Sequence, residues 1–591
     1  MAGITGSLYQ QFAITIAVSV VFSSINALSL SPALCSILLK PKKEVKGPLG
    51  KFFNWFNRVF DRSTESYSSL TSVIAGKTKR GAFYILGFII AAGVLGGQVP
   101  GGFIPEEDQG YLFVNLQLPN AASMQRSDEV AKEVEKILAE RDDVDMVTTV
   151  TGFSLLSNAF ISNTGLFFIT LKDWAEREKT ANTIMRELNG TLAQRINSAR
   201  AFAFGPPAIP GLGSGSGFSI MIQDKSGNDP TYLAQNTYAF VKAANARPEI
   251  GNAFTMYQAT VPQRFMDLNI EKILKAGVNL NDIYNTFGAF LGGSYINDFN
   301  RFGRLYKAYV QAEPEYRQNE SSLDLFYVKN DKGISVPLST FVTVRKVSGP
   351  DYTNRFNLFR SAEVTGAPAP GFTSAQALTA LEEVAADVLP DDMTFSWNAM
   401  SYQEKKASGQ AGIVFGFSLL FVFLILAAQY ESWSMPMSIL LGTPFAVFGA
   451  FAFLWVARMF SESYEMNVFA QISLVMLIAM AAKNAILIVE FANENFQKGM
   501  SLFDAAVDAA KLRFRPILMT AFSFILGVLP LILASGSGAE ARKVMGMALL
   551  GGMGMATLIG VFLYPMLFIL VGKLAGYEKK RAMNKQENIA Q

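Results

Sequence analysis

Seven apolar runs, each long enough to cross a bilayer as a helix, leave this chain little choice of architecture. They are Ala13–Leu39, Gly81–Val99, Ala411–Ala428, Met437–Val456, Asn467–Val489, Pro516–Ala534 and Val544–Val571. About 20 residues of helix suffice for one crossing, and in hydrocarbon each segment must satisfy its own backbone, which only a helix or a closed barrel can do. Half of the 591 residues are hydrophobic, too many for an ordinary soluble enzyme. Yet residues 100–410, between the second and third runs, are of mixed polarity. The first run has no basic flank and exceeds the roughly 7–15 apolar residues of a secretory signal, so it reads as an uncleaved span.

Charge orients the bundle. The flanks Lys40–Arg80, Asn493–Arg515 and Lys573–Gln591 carry nineteen Lys and Arg, whereas the loops Arg458–Met466 and Ser535–Lys543 carry three. The positive-inside rule puts the first set in the cytoplasm. Residues 100–410 then lie outside it, in the periplasm of a bacterium. A net charge of +3 implies no nucleic-acid partner, and the absence of histidine removes the usual general base and metal ligand. With Cys35 alone, no disulfide can form within the chain.

Lys483 stands in the middle of the fifth run, with no carboxylate level with it. An ammonium group there costs roughly 2.5–3.5 kcal/mol on insertion scales. The nearest acid on the same helix, Glu490, is seven residues on, about 10.5 Å along the axis. The lysine therefore either snorkels or pairs with protein outside this sequence, and the second reading is preferred.

Between the first two runs, Leu49–Arg62 has the spacing of an amphipathic surface helix, with Phe52, Phe53, Trp55, Phe56, Val59 and Phe60 on its apolar side. The polar block alternates strands and helices. Strands are expected at Tyr111–Leu118, Met146–Thr151, Gly165–Leu171 and Ala201–Phe204, with helices at Ser123–Glu140 and Ala175–Ser198. A second unit starts at Gly217–Gln223 with helix Pro230–Ala246 and resumes at Phe359–Thr365, Ser374–Val388 and Met393–Trp397. That order predicts split, ferredoxin-like β-α-β units with an insertion at about 262–351. The fold class is thus a seven-span helical membrane bundle plus an α+β extramembrane domain. Gly211–Gly217 (GLGSGSG) lacks the Lys-Ser/Thr of a phosphate loop and leads into a strand, so it reads as a flexible loop. The pair Glu106–Glu107 reads as solvated loop charge. No catalytic or metal-spaced cluster is visible, and no enzyme activity is expected.

The motifs GFIPEEDQG (102–110), NTGLFFITLKDW (163–174), FAFGPPAIPGLG (202–213), GGSYINDF (292–299), AQYESWSMP (428–436), AAKNAILIVEFA (481–492) and RPILMTAFSFILGVLPL (515–531) closely resemble the C-terminal half of resistance–nodulation–cell division efflux pumps of the hydrophobe/amphiphile type, the acriflavine resistance protein B family. The likeness runs in order through essentially the whole chain. It implies a proton-driven drug antiporter in a Gram-negative inner membrane, a homotrimer working with a periplasmic adaptor protein and an outer-membrane channel, with no cofactor. Family members have twelve spans and paired membrane aspartates in the first half. The resemblance thus implies that this chain lacks its N-terminal half. On that frame 1–39 is a span, 40–80 a cytoplasmic interfacial helix and linker, and 81–99 a span. Residues 100–208 form one porter subdomain, 209–261 and 353–410 a second in two parts, and 262–352 a docking subdomain. The five-span bundle is 411–572 and the cytoplasmic tail 573–591.

The resemblance also assigns roles. Lys483 matches the family's membrane lysine, which would stabilise ionised aspartates and turn away when they are protonated. Thr520 matches a relay threonine, although its hydroxyl could equally bond the carbonyl one turn back. Arg513 matches a residue tied to proton release and could equally be a positive-inside anchor. Asn484 could bond within the relay or across helices. Phe202 and Phe204 alternate along one strand and so face one side. With Phe168, Val150 and Phe153, which opens the loop Gly152–Asn163, they match the family's aromatic substrate pocket and switch loop, or else form ordinary sheet core. A pocket phenylalanine of the family is replaced by Thr148 and the switch loop is longer, so the drug spectrum does not carry over. The alternatives are a metal-ion exporter of the same superfamily, disfavoured by the phenylalanine strand, and a transport-incompetent truncated or accessory protein. Ala548, Gly552, Ala556 and Gly560 form a small-residue stripe that would let helices approach closely.

Overall fold

The computed structural model describes residues 3–39 and 47–578; the start of the expected linker and most of the expected tail lie outside them. Among the described residues, seven helices are long and apolar enough to cross a membrane: Gly3–Leu38, Thr78–Gln98, Gln410–Gln429, Met435–Arg458, Val468–Gln497, Leu502–Ile532 and Ala539–Leu574. They are called the first to seventh spans below. Local chemistry fixes several ends. Asn467 caps the fifth span by accepting from the Ala470 amide at 3.0 Å, and Ser501 caps the sixth from the Asp504 amide at 3.1 Å. Pro516 and Pro530 lie inside the sixth span, where neighbouring groups can take up the freed backbone positions.

The fourth, fifth and seventh spans are the buried centre of the bundle, whereas none of the first span's apolar window is buried. Only the first span's start is engaged, through Tyr9 Oη donating to Gln471 Oε1 at 3.4 Å and Phe12 edge-on to Phe469. Cys35 is accordingly exposed. The surface helix is longer than expected, Pro48–Ala75. Its anchoring half is the unexpected one: Tyr67, Thr71 and Ala75 recur every four residues and are buried. Tyr67 stacks on Phe514 with ring centroids 4.2 Å apart and donates to the Val561 carbonyl at 2.9 Å. The predicted aromatic stripe from Phe52 to Val59 stays exposed.

Outside the bundle, four antiparallel strands, β1 (Tyr111–Gln117), β2 (Val144–Ser154), β3 (Ala159–Leu171) and β4 (Arg200–Phe204), lie in the order β2-β3-β1-β4. Helices Met124–Ala139 and Ala181–Arg195 connect β1 to β2 and β3 to β4. Each connection therefore skips over a strand of the same sheet, as in a split β-α-β unit. The second helix starts six residues later than expected because Thr180 caps it, accepting from the Thr183 amide. The second unit repeats the order with strands Phe218–Asp224, Ile250–Thr255, Phe359–Pro368 and Met393–Trp397. Its Ile250–Thr255 strand escaped sequence reading. The insertion hangs from paired strands Val261–Leu268 and Val342–Gly349 and has its own small core around Ile273, Ile283 and Phe341.

The expected loop Gly152–Asn163 is largely a hairpin: β2 runs on to Ser154 and β3 starts at Ala159. Only 155–158 form the turn, with Asn158 at φ 50. The Ser/Asn-rich composition imitated a loop, but neighbouring β2 and β3 satisfy each other's backbone groups almost to the tip.

The loop after the second span fastens the sheet to the bundle. Glu107, expected to be solvated, accepts from the amides of Glu540 and Ala541 at 3.1 and 2.8 Å, at the N-terminal end of the seventh span. Asp108 accepts from both terminal guanidinium nitrogens of Arg177, at 2.6 and 2.8 Å, and from the Ala181 amide at 2.8 Å.

Candidate functional site

Strand register decides which residues share a face. Leu112, Val114 and Leu116 of β1 point into the core beneath the two helices, so Phe113 and Asn115 point the other way. Across the sheet, Thr148, Phe168, Phe113 and Phe204 form one row, and Val150, Leu166, Asn115 and Phe202 the next. Phe168, Phe202, Phe204 and Val150 therefore share one face, as expected. Phe113 is one ring that sequence reading missed, although the alternation of β1 already placed it. It lies 5.4 Å from both Phe168 and Phe204.

The rings continue into the second unit. Phe202 is 6.1 Å from Phe204 and 5.0 Å from Phe254, and the Arg200 guanidinium lies 5.8 and 5.6 Å from Phe202 and Phe254. Here the two units enclose a cavity of about 210 Å³ lined by Leu156, Phe202, Phe204, Phe254, Glu363 and Met400. The GLGSGSG stretch closes one side. A side chain at Gly215 would come within 2.7 Å of the Phe204 ring, and one at Gly217, where φ is +93, would overlap the Gly366 carbonyl. The glycines let this backbone pass the aromatic face. Phe153 does not join it: it is paired in the hairpin with Phe160, at 5.1 Å, while Leu156 of the turn reaches the cavity.

Asn115 is fully buried in this apolar row, and neither its Nδ2 nor its Oδ1 has a partner. A buried polar group left unmatched costs about 1–3 kcal/mol. Replacing Asn115 by Leu is therefore expected to raise stability by roughly that amount, read as a higher melting temperature of the purified protein. An unchanged or lower value would show that the amide is matched in solution.

The membrane residues are less closely gathered. Lys483 is exposed, on a line with Ala479, Glu490 and Glu494 along the one open side of the otherwise buried fifth span. Among the described residues no carboxylate lies within ion-pair distance of it, and no hydrogen bond joins it to Asn484, Arg513 or Thr520. Asn484, its neighbour, is fully buried with both amide atoms unmatched. Thr520 donates to the Ile517 carbonyl at 3.0 Å. Arg513 lies flat on Phe491, 3.6 Å from the ring centroid, which ties the sixth span to the fifth. Where the bundle meets the sheets, burial pushes Glu465 up to about 8 and raises Glu404. Among the described residues no group of three or more Cys, Asp or Glu is placed to hold a metal ion.

A family model described as the AcrB/AcrD/AcrF family matches residues 1–572. The antibiotic efflux pump membrane transporter ArpB of Pseudomonas putida is 38% identical over 608 residues, covering 99% of this chain and 56% of the relative. The toluene efflux pump membrane transporter TtgB, also of Pseudomonas putida, is 38% identical, with coverage of 99% and 56%. The multidrug export protein AcrF of Escherichia coli is 37% identical, with coverage of 96% and 55%. The chain thus spans about half the length of the relatives it matches.

Proposed function

Because the chain belongs to the AcrB/AcrD/AcrF family, we propose that it takes part in proton-driven export of hydrophobic and amphiphilic compounds across a bacterial inner membrane, with no enzymatic step. The observation that carries this reading is the aromatic face: Phe168, Phe113, Phe204, Phe202 and Phe254 in near-continuous ring contact beside a cavity. Such a surface offers large contact area with little directional demand, which suits binding of many unrelated apolar molecules.

In this reading the two split units are ferredoxin-like porter subdomains on the periplasmic side and the insertion is a docking subdomain. The partners are those of the family: two further copies, a periplasmic adaptor and an outer-membrane channel. Lys483 supplies the coupling. Its ammonium faces carboxylates outside residues 1–591, holds them ionised, and is released when they take up protons. Asn484, its buried neighbour with an unmatched amide, would offer the released lysine an alternative partner. Thr520 and Arg513 act from the adjoining span.

Deleting the gene in its own host tests the proposal. Ethidium accumulation should rise in the deletion strain, and the difference should vanish when a protonophore collapses the gradient. Equal accumulation in both strains without protonophore would reject export; a difference that survives the protonophore would reject proton coupling.

A further inference from the structure

The seventh span is not one regular helix. It consists of Ala539–Met555, a π-helical turn at Ala556–Gly560, and Val561–Leu574, with Pro565 inside the last part. A π turn interrupts the regular hydrogen-bond ladder and recurs at functional positions. Proline has no N–H, so Pro565 cannot donate to the carbonyl four residues back, which is that of Val561. Both breaks fall within residues 556–565, and each is a recognised cause of bending in a helix.

The Val561 carbonyl is matched from outside the spans. Tyr67 of helix Pro48–Ala75 donates its hydroxyl to it at 2.9 Å. The ring of Tyr67 is held on two sides, stacked on Phe514 of the sixth span at 4.2 Å and edge-on to Phe562 at 5.1 Å. Tyr67 and Val561 are both buried, so withdrawing the hydroxyl would leave a bare carbonyl away from water. Three residues on, Tyr564 carries the bend to the fifth span. Its ring is seated against Gly442 and Gly560, where an added Cβ would overlap it, and its hydroxyl donates to the Ala481 carbonyl at 3.5 Å. Ala481 lies in the same helical turn as Lys483 and Asn484. The start of the seventh span is fixed by Glu107, so a change of bend moves Val561–Leu574.

We propose that the π turn and Pro565 form a hinge in the seventh span and that Tyr67 is its latch. Tyr67 is then a positioning residue: it sets the bend through the Val561 carbonyl and, by way of Tyr564, the place of the turn that bears Lys483. This role rests on the transport reading, in which Lys483 is held and then released. It gives the surface helix a part in that cycle beyond anchoring.

Hydrogen–deuterium exchange of the native-length protein in nanodiscs tests the latch, with peptides covering 556–574 and, for reference, 539–552. Tyr67→Phe keeps the ring and removes the donor. It should speed exchange across 556–574 about ten-fold, as expected for a buried carbonyl left unmatched, and leave 539–552 unchanged. Pro565→Ala supplies the missing N–H, so on that background Tyr67→Phe should change nothing, a coupling that a tyrosine serving only as packing would not show. Unchanged exchange in Tyr67→Phe, a rise shared by both peptides, or the same rise on both backgrounds overturns the proposal. Export is the second arm. Pro565→Ala stiffens the hinge and should lower protonophore-sensitive ethidium export to the level of the gene-deleted host, at parental abundance on an immunoblot; parental export would overturn the hinge. A parent protein without export of its own would defeat the transport reading, and the exchange cycle would still decide the latch.

Discussion

Replacing Lys483 by Met is expected to reduce export to the level of the gene-deleted host while leaving the amount of protein in the membrane unchanged or higher. The sign of the second effect makes the first interpretable. Lys483 is exposed on its span and makes no ion pair or hydrogen bond among the described residues, so its removal takes away no packing or pairing within this chain. An ammonium near a bilayer centre costs roughly 2.5–3.5 kcal/mol on insertion scales, so an isosteric apolar side chain should insert more readily. Lost transport at full abundance would then be a defect of coupling, since a folding defect would lower abundance. The measurement is ethidium accumulation in cells carrying the chromosomal substitution, with an immunoblot of the same membranes. Retained export would remove Lys483 from the mechanism and leave the aromatic face without its proposed source of energy.

The parts of the molecule that could be read from the sequence share a physical basis. Each apolar run lies on one of the seven described helices that are long and apolar enough to cross a membrane, because length and hydropathy are read directly from the sequence. The order of strands and helices in both units was mostly visible because alternation is a local signal, although the Ile250–Thr255 strand and the Thr180 cap were missed. The site was legible only in part. Phe202 and Phe204 came out on one face because side-chain direction follows period two, whereas Phe168 and Val150 were joined to them by the resemblance and only the strand register places them on that face. Asn115 and Phe254 did not come out, because their roles arise from pairing across strands: Asn115 becomes significant only when Leu166 and Phe202 are found on either side of it. Phe153 was misplaced for a related reason. Ser and Asn at 157, 158, 162 and 163 suggest a loop, but Ser127 Oγ donates to the Ser162 carbonyl and Asn163 Nδ2 to that of Leu118, and these bonds hold the hairpin to the sheet. Lys483 was legible as a charge out of place, and the structure adds that it lies on the one open side of its helix.

The second large effect concerns how closely two spans approach. Sequence spacing picked out Ala548, Gly552, Ala556 and Gly560 as a packing stripe, and all four are buried. The tightest crossing is one residue away from that stripe. A Cβ on Gly449 of the fourth span would overlap the Gly551 carbonyl oxygen, and a Cβ on Gly551 would overlap the Gly449 carbonyl oxygen. Each glycine makes room for the other's backbone, so neither position can be relieved by a side-chain rotation. The helices would have to move apart, opening contacts around Leu454, Leu477 and Leu549, which share one core cluster. Overpacking of a tight core costs typically about 1–3 kcal/mol, and backbone-to-backbone overlap belongs at or above the top of that range. Gly551→Val is therefore expected to abolish the monodisperse peak of the detergent-solubilised protein, or to lower its melting temperature sharply. Gly449→Val should behave alike, and the double variant should be worse than either alone. Gly554→Ala is the control: nothing lies within 4 Å of its added Cβ, and melting should not change. If Gly551→Val melts like the parent, the two spans are further apart than this crossing requires, and the close approach is not what holds the bundle together.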